Sequence, residues 1–338
     1  MNDDKLWIVV TMLLATASWA VAQDAGHDWP NWRGPTYDGV SAETAWDTDW
    51  SDGQPEVLWK KDVGVGASTV SVVGDRVYTM GNQSNRDIVW CLDAKTGEVI
   101  WQQSYACRLD ARMFEGGPGA TPTVADGKVY TLSHDGKLNC FDADSGKPVW
   151  SVDIVDELGG KRPRWGFAGS PLVYDKLVIV DTGSPRGSTV ALNKDTGKAV
   201  WTSGNQGAGY AAPIVLKMGG KDLIVSFKAE QLVAMEPKTG RQVWSVPWET
   251  SYDVNATPPV RVDDDKLFIS TGYNRGCALV RITRGGAATL WENREMSTQL
   301  NAVVKHGDYV YGVTGNSGRG DLMCMRLSDG KVMWTQGG

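Results

Sequence analysis

A ten-residue segment that ends in tryptophan recurs along the chain and constrains its fold more than any other feature. It reads LDAKTGEVIW at residues 92–101, and close copies occupy residues 141–150, 192–201 and 235–244. With looser copies included, the closing tryptophans lie 42 to 51 residues apart, at Trp59, Trp101, Trp150, Trp201, Trp244, Trp291 and Trp334. A period in this range is typical of repeat architectures, in which one supersecondary unit packs on the next.

Each copy has the pattern of a β-hairpin. An apolar strand ends at a residue such as Asp93, a Thr-Gly or Ser-Gly turn follows, and a second strand closes on tryptophan. A glycine such as Gly97 supplies the positive φ that this turn needs. A second hairpin lies upstream, as in residues 121–133, where Asp126-Gly127 separates two alternating strands. Four strands per period predict one propeller blade.

The sequence therefore predicts an all-β fold, a β-propeller of four-stranded blades. Six complete blades are expected, at residues 64–103, 117–153, 166–203, 209–247, 254–293 and 300–336. Small residues at the start of each first strand predict that these strands are innermost. Pro148 lies in a tryptophan strand and favours an outermost position for that strand, because proline is tolerated mainly at sheet edges. The residues around Trp59 read as an orphan outer strand, and the chain ends after a blade, so a truncated ring is expected.

The N-terminal region predicts export. Residues 1–22 hold an apolar run that ends in Ala20-Val21-Ala22, as in a cleaved signal peptide, and a membrane anchor is the alternative. Residues 23–53 are expected to form an ordered strap whose Trp29, Trp32 and Tyr37 pack on the first blade, and residues 54–338 to form the propeller. We expect a periplasmic or extracellular protein without a membrane span after cleavage. A net charge of −6 without a basic run argues against nucleic acid as a partner.

The repeat D-x-x-T-G-x-x-x-W, intact at residues 93–101, resembles that of pyrroloquinoline quinone (PQQ) propellers. Residues 28–41, 164–173, 252–260 and 270–279 further resemble exported bacterial PQQ-like repeat proteins. That family is similar both to the quinoprotein alcohol dehydrogenases and to the propeller lipoprotein of outer-membrane β-barrel assembly. The resemblance implies eight blades, so a truncated eight-bladed ring is expected. It does not by itself imply a function.

One reading is enzymatic. The resemblance to quinoprotein dehydrogenases implies PQQ over a calcium ion, with Glu, Asn and Asp ligands, an Asp base, a stacking Trp and commonly two adjacent cysteines. The nearest candidates are Glu115, Asp253, Asn255 and, as the stacking platform, Trp165. The chain has no Cys-Cys pair, and Asp253 and Asn255 also suit a turn before an inner strand. We therefore expect no catalytic residue and no cofactor, with PQQ and calcium only under this alternative.

The cysteines and histidines do not predict a metal site. Cys91, Cys140 and Cys324 occupy equivalent strand positions and are expected to be small buried residues, whereas Cys107 lies in a long loop as the candidate free or partner-seeking thiol. The histidines His27, His134 and His306 are scattered, without metal-ligand spacing.

The second reading is a binding site at one mouth of the ring. The long connections between blades should gather there, and they carry Arg, Trp, Tyr and Asn side chains. The candidate residues are Arg112, Arg164, Trp165, Tyr210, Tyr252, Asp253, Asn255 and Asn301. Such residues suit a protein segment or a small anionic or sugar-like ligand, although they also suit solvated loops. The predicted function is a non-catalytic binding or scaffold module; the alternatives are a PQQ-dependent alcohol dehydrogenase and a surface-exposed polysaccharide binder.

Overall fold

The structure is a computed structural model that describes residues 28–337, except 45, 47–48, 50–52, 54, 111–115, 284–285 and 317–319. The predicted signal peptide, the first residues of the predicted strap, and the candidates Arg112 and Glu115 lie outside the described residues.

The described residues form 24 strands in six antiparallel four-stranded sheets, each built from four consecutive strands. The first three blades are β1 (Ser71–Val73), β2 (Arg76–Gln83), β3 (Arg86–Asp93), β4 (Val99–Ala106); β5 (Thr123–Ala125), β6 (Lys128–Leu132), β7 (Lys137–Asp142), β8 (Pro148–Asp153); and β9 (Leu172–Tyr174), β10 (Leu177–Ser184), β11 (Gly187–Asn193), β12 (Ala199–Ser203). The last three are β13 (Ile214–Met218), β14 (Lys221–Phe227), β15 (Gln231–Met235), β16 (Gln242–Pro247); β17 (Val260–Arg261), β18 (Lys266–Thr271), β19 (Gly276–Thr283), β20 (Gly286–Asn293); and β21 (Val304–His306), β22 (Tyr309–Thr314), β23 (Asp321–Arg326), β24 (Val332–Gln336). A 3₁₀ turn spans Ser251–Asp253.

The predicted β-propeller of four-stranded blades is confirmed. Each tryptophan strand is the outer edge of its sheet, and Pro148 is the first residue of edge strand β8. The prediction of a strand around Trp59 is wrong, because residues 55–60 form no strand. Trp59 instead donates its indole N–H to the Ala94 carbonyl (3.0 Å).

The core lies between sheets. Five clusters of buried apolar side chains each join one blade to the next, as where Tyr130 and Leu138 of blade 2 pack with Val178 and Leu192 of blade 3. Each such side chain contributes about 1.5–3 kcal/mol when fully buried. Stability therefore comes from stacking blades.

The recurrent tryptophan is one of these contacts between blades. Trp101 of blade 1 packs its ring on Gly146 of blade 2 and donates its indole N–H to the Ala143 carbonyl (2.9 Å). Gly146 has a φ of 69°, and a Cβ there would lie 2.6 Å from Trp101 Cδ2. The same contact joins Trp59 to Gly97, Trp150 to Gly197, Trp201 to Gly240 and Trp291 to Gly330. Glycine at this turn is thus required both by the backbone and by the neighbouring indole.

Hydrogen bonds also connect the segments that precede the innermost strands. The Thr69 and Thr121 hydroxyls lie 2.8 Å apart, and the Thr121 backbone N–H donates to Ser170 Oγ (2.9 Å). Between blades 5 and 6, the Thr257 hydroxyl donates to the Asn301 carbonyl (3.0 Å). These hydrogen bonds therefore link blade 1 to blade 2, blade 2 to blade 3 and blade 5 to blade 6 next to the axis.

Residues 28–40, which we call the strap, cross the axis of the ring. Trp29 pairs with Val72 of β1, and the Pro30 carbonyl accepts a hydrogen bond from the Val124 N–H of β5 (2.8 Å). Arg33 is buried and donates to the Val303 carbonyl beside β21 (2.9 Å). Tyr37 packs against the clusters between blades 3, 4 and 5. The strap thus contacts not only the first blade, as predicted, but also the other five blades.

Candidate functional site

A cavity of about 440 Å³ lies at the axis, and we call it the axial cup. Its wall is built from the segments before the innermost strands, which contribute small residues: Ala67, Gly119, Ala168, Ala212 and Ala256, one from each of the first five blades. Trp32 of the strap lies at its base, next to the innermost strands. The small side chains leave space at the axis, and the strap closes one end of it.

Four aromatic side chains follow one another around the open end, and we call them the aromatic rim. Trp165 lies 6.0 Å from Tyr210 and 6.0 Å from Tyr252 between ring centroids, and Tyr252 lies 5.4 Å from Tyr273. The tilted and edge-on angles, 56° to 83°, are those that aromatic pairs prefer. The rim comes from the loops before blades 3, 4 and 5 and from the β18–β19 turn.

A positive charge lies over this rim. The Arg164 guanidinium carbon is 5.0 Å from the Trp165 ring centroid and 5.4 Å from that of Tyr252. Contacts at these distances are cation–π interactions, worth about 0.5–1 kcal/mol at an exposed site. Arg164 is exposed, so a ligand at the rim would meet aromatic rings and also a positive charge.

The backbone of the rim is strained. Tyr252, Asp253, Tyr273 and Asn274 all have φ values between 56° and 62°, in the left-handed region. Each such non-glycine residue costs about 1 kcal/mol or more, and such conformations cluster at functional sites. In this conformation Tyr252 has 57% of its surface exposed, beside its aromatic neighbours.

The structure brings together some of the residues predicted from the sequence. Arg164, Trp165, Tyr210 and Tyr252 form or flank the rim. Asp253 is exposed next to Tyr252, and Asn301 is also exposed, whereas its neighbour Leu300 lines the cup.

Asn255 has a different place. It is fully buried, and its side-chain amide donates to the carbonyls of Lys228 (2.8 Å), Ala229 (2.9 Å) and Trp248 (3.2 Å). Its side-chain oxygen accepts the Thr250 hydroxyl (2.7 Å). These four hydrogen bonds use the amide within the protein and hold the loop that carries Tyr252 against blade 4.

Trp32, Tyr273 and His134 also line the cup, although the sequence did not single them out as site residues. Their only sequence signal was a position in a loop or in the predicted strap. His134 lies 3.6 Å from Cys107 Sγ, and Cys107 is only 2% exposed. The loop thiol expected to be free or partner-seeking is thus buried beside an imidazole.

The described lining of the cup does not supply the ligands that PQQ over calcium needs. Among the described residues, no carboxylate lines it, whereas calcium takes six to eight oxygen ligands, several of them from carboxylates. Asp253 is exposed and does not line the cup, and the Asn255 amide is occupied. The nearest candidates within the described chain therefore do not converge on one ion.

No helix among the described residues is long and apolar enough to cross a membrane.

Comparisons with known proteins identify relatives of two kinds. The chain is 27% identical over 217 residues to outer membrane protein assembly factor BamB of Burkholderia pseudomallei, covering 61% of this chain and 49% of that protein. It is 31% identical over 209 residues to quinoprotein ethanol dehydrogenase of Pseudomonas aeruginosa, covering 54% of this chain and 32% of that protein. The chain thus spans half or less of the length of these two relatives.

The fold has a similar solved structure, the crystal structure of BamB from Moraxella catarrhalis. The TM-score is 0.55 at 20% identity, with 81% of this chain and 73% of the other covered. The profile of the family described as outer membrane protein assembly factor BamB matches residues 41–127 and 85–336, which together are most of the chain. The protein therefore belongs to this family of PQQ-like repeat propellers.

Proposed function

We propose that this protein is an exported, non-catalytic binding module, and that its axial cup receives apolar side chains of an extended segment of a partner protein. The observation that carries the proposal is an apolar-walled cup, closed at its base by Trp32 and bordered at its mouth by aromatic side chains. The module would act outside the cytoplasm, in the periplasm or beyond.

The size of the cup suits the insertion of individual side chains of a partner and not of a folded domain. A volume of about 440 Å³ falls in the range of ligand-sized pockets, about 300–1,000 Å³. Aromatic and arginine side chains are those that dominate binding energy at protein interfaces. Trp165, Tyr252 and Arg164 supply both kinds at the mouth, while the small residues of the wall leave room for an inserted side chain.

The relatives support the same class of partner. Two of them are named as outer membrane protein assembly factors, a role in which a protein meets other proteins. We carry this over as a proposal: the segment bound here belongs to an outer-membrane protein on its way to assembly.

A PQQ-dependent alcohol dehydrogenase is the second candidate, because relatives named as a quinohemoprotein alcohol dehydrogenase and a quinoprotein ethanol dehydrogenase match parts of the chain at 30–31% identity. The lack of carboxylates in the described lining of the cup counts against it.

The test measures peptide binding directly. Overlapping peptides from an unfolded outer-membrane β-barrel protein are titrated into the purified chain, with tryptophan fluorescence and calorimetry as readouts. Tyr252→Ala and Trp165→Ala should each weaken binding by about 30-fold, the effect of losing an interface residue worth about 2 kcal/mol. Trp334→Ala is the control, because Trp334 is similarly exposed (44%) but lies on β24, the outer strand of blade 6.

Two results would contradict the proposal. One is the absence of binding, or binding that Trp334→Ala weakens as much as the rim variants do. The other is a quinone absorbance band and dye-linked alcohol oxidation on addition of PQQ and calcium, which would favour the dehydrogenase.

A further inference from the structure

Three buried side chains that can ligate a metal meet between blades 1 and 2. Asp87 lies near the start of β3, Cys107 directly follows β4, and His134 lies in the turn between β6 and β7. One ligand atom from each lies within 4.8 Å of the other two, and the residues are 0%, 2% and 2% exposed. We propose that Asp87, Cys107 and His134 form a binding site for a divalent transition metal ion, with zinc as its occupant.

The spacing of sulfur and nitrogen matches such a site. Cys107 Sγ lies 3.6 Å from His134 Nδ1. Bonds of about 2.3 Å to sulfur and about 2.0 Å to nitrogen, at a tetrahedral angle, place these two atoms about 3.5 Å apart. The Asp87 carboxylate lies within 4.8 Å of both atoms, so it has to move by no more than about 1.3 Å to complete the set. A thiolate, an imidazole and a carboxylate are the ligand types that zinc takes.

An unsatisfied oxygen provides an independent observation. Asp87 Oδ2 is buried and has no hydrogen-bond partner among the described residues. A buried carboxylate oxygen without a hydrogen-bond partner is costly. A cation bound between Asp87 and its two neighbours would supply the missing partner.

Neighbouring groups hold the three ligands in place. Asn82 donates from its amide both to Asp87 Oδ1 (2.7 Å) and to the Cys107 carbonyl (2.8 Å). His134 makes a hydrogen bond with the backbone of Arg108. Contacts of this kind fix the orientation of metal ligands in known sites. The nearby Arg162 guanidinium is already paired with Asp110 (3.1 Å).

The location of the cluster indicates how an ion would enter and what its binding would stabilise. His134 lines the axial cup, so an ion can reach the cluster from the cup. Two ligands come from blade 1 and one from blade 2, so the bound metal would fasten these blades together. Three protein ligands leave the fourth tetrahedral position to water.

The test uses the whole chain, purified with reductant and chelator and then titrated with Zn²⁺ alone. We expect one zinc per chain by mass spectrometry and a higher melting temperature with zinc. With Co²⁺ we expect a thiolate-to-cobalt charge-transfer band and the visible bands of tetrahedral cobalt. Zinc binding should be weakened by at least about 100-fold in each of the variants Cys107→Ser, His134→Gln and Asp87→Asn. Loss of a group that only hydrogen-bonds to a metal ligand weakens binding by about 100-fold at most.

Cys324→Ser is the matched control, since Cys324 is also a buried thiol but lies in β23 of blade 6. It should leave zinc binding and the cobalt spectrum unchanged. Cobalt without a thiolate band, zinc that binds equally to Cys107→Ser, or no zinc bound to the folded wild-type chain would each overturn the assignment. Circular dichroism of every variant establishes that it is folded before the metal is added.

Discussion

Two glycines of blade 2 allow the contact between blades to be measured separately from backbone strain. Gly146 and Gly127 have nearly the same φ, 69° and 70°, so alanine at either position pays the cost of a left-handed residue, roughly 1–2 kcal/mol. At Gly146 the new Cβ would also lie 2.6 Å from Trp101 Cδ2, whereas at Gly127 nothing lies within 4 Å. Overpacking of this kind costs about 1–3 kcal/mol. Gly146→Ala should therefore lower the free energy of unfolding by about 2–5 kcal/mol, and Gly127→Ala by only about 1–2 kcal/mol.

Urea unfolding followed by circular dichroism gives both values, provided that the dependence on urea concentration stays the same in the variants. A third variant sharpens the test: in a Trp101→Leu background, Gly146→Ala should cost only the backbone term, about 1–2 kcal/mol. Equal losses for Gly146→Ala and Gly127→Ala would refute the view that the indole against glycine joins the blades. An undiminished loss in the Trp101→Leu background would refute it as well.

Three further perturbations follow from the buried polar groups. Lys228→Met should lower the free energy of unfolding by about 3–5 kcal/mol, because it leaves the largely buried Asp181 carboxylate without its cation. The double variant Lys228→Met with Asp181→Leu should regain most of this free energy, as urea unfolding would show. Burial raises the pKa of Cys91 from 9.0 to about 11, so the native state keeps a proton that the unfolded state loses. Wild-type stability should thus fall between pH 9 and 11 more steeply than that of Cys91→Ala, and parallel pH profiles would contradict this. Arg33→Ala removes hydrogen bonds to the carbonyls of Tyr37, Asp38 and Val303 and should speed proteolysis within the strap, whereas unchanged cleavage would disprove its anchoring role.

The blades could be predicted from the sequence because their signals are local. In the turn after β7, Asp142 Oδ1 accepts hydrogen bonds from the Ser145 N–H (2.8 Å) and hydroxyl (2.6 Å), and Gly146 follows with a positive φ. All of these residues lie within five positions. The residues around Trp59 share the closing tryptophan with the repeat, but a strand also needs a hydrogen-bonded neighbour, and in the described chain residues 55–60 have none.

The site was only partly predictable because its parts converge from distant positions. Trp165 and Tyr252 were recognisable as aromatic loop residues, but Tyr273 reaches the rim only through the left-handed turn between β18 and β19. The role of Asn255 depends on three distant carbonyls, two in the β14–β15 turn and one at Trp248, directly after β16. Cys107 and His134 belong to different blades, and no spacing rule relates them.

The segment that lies across the ring belongs to none of the blades, yet it limits the depth of the receptacle and also contacts the walls. Trp32 lines the receptacle, while Trp29 pairs with Val72 and Tyr37 packs against two of the clusters between blades. Replacing residues 28–40 with the corresponding stretch of another propeller would therefore change what fits inside and would also remove contacts of the surrounding sheets. The size of the receptacle and the fastening of its walls thus depend on one short N-terminal piece.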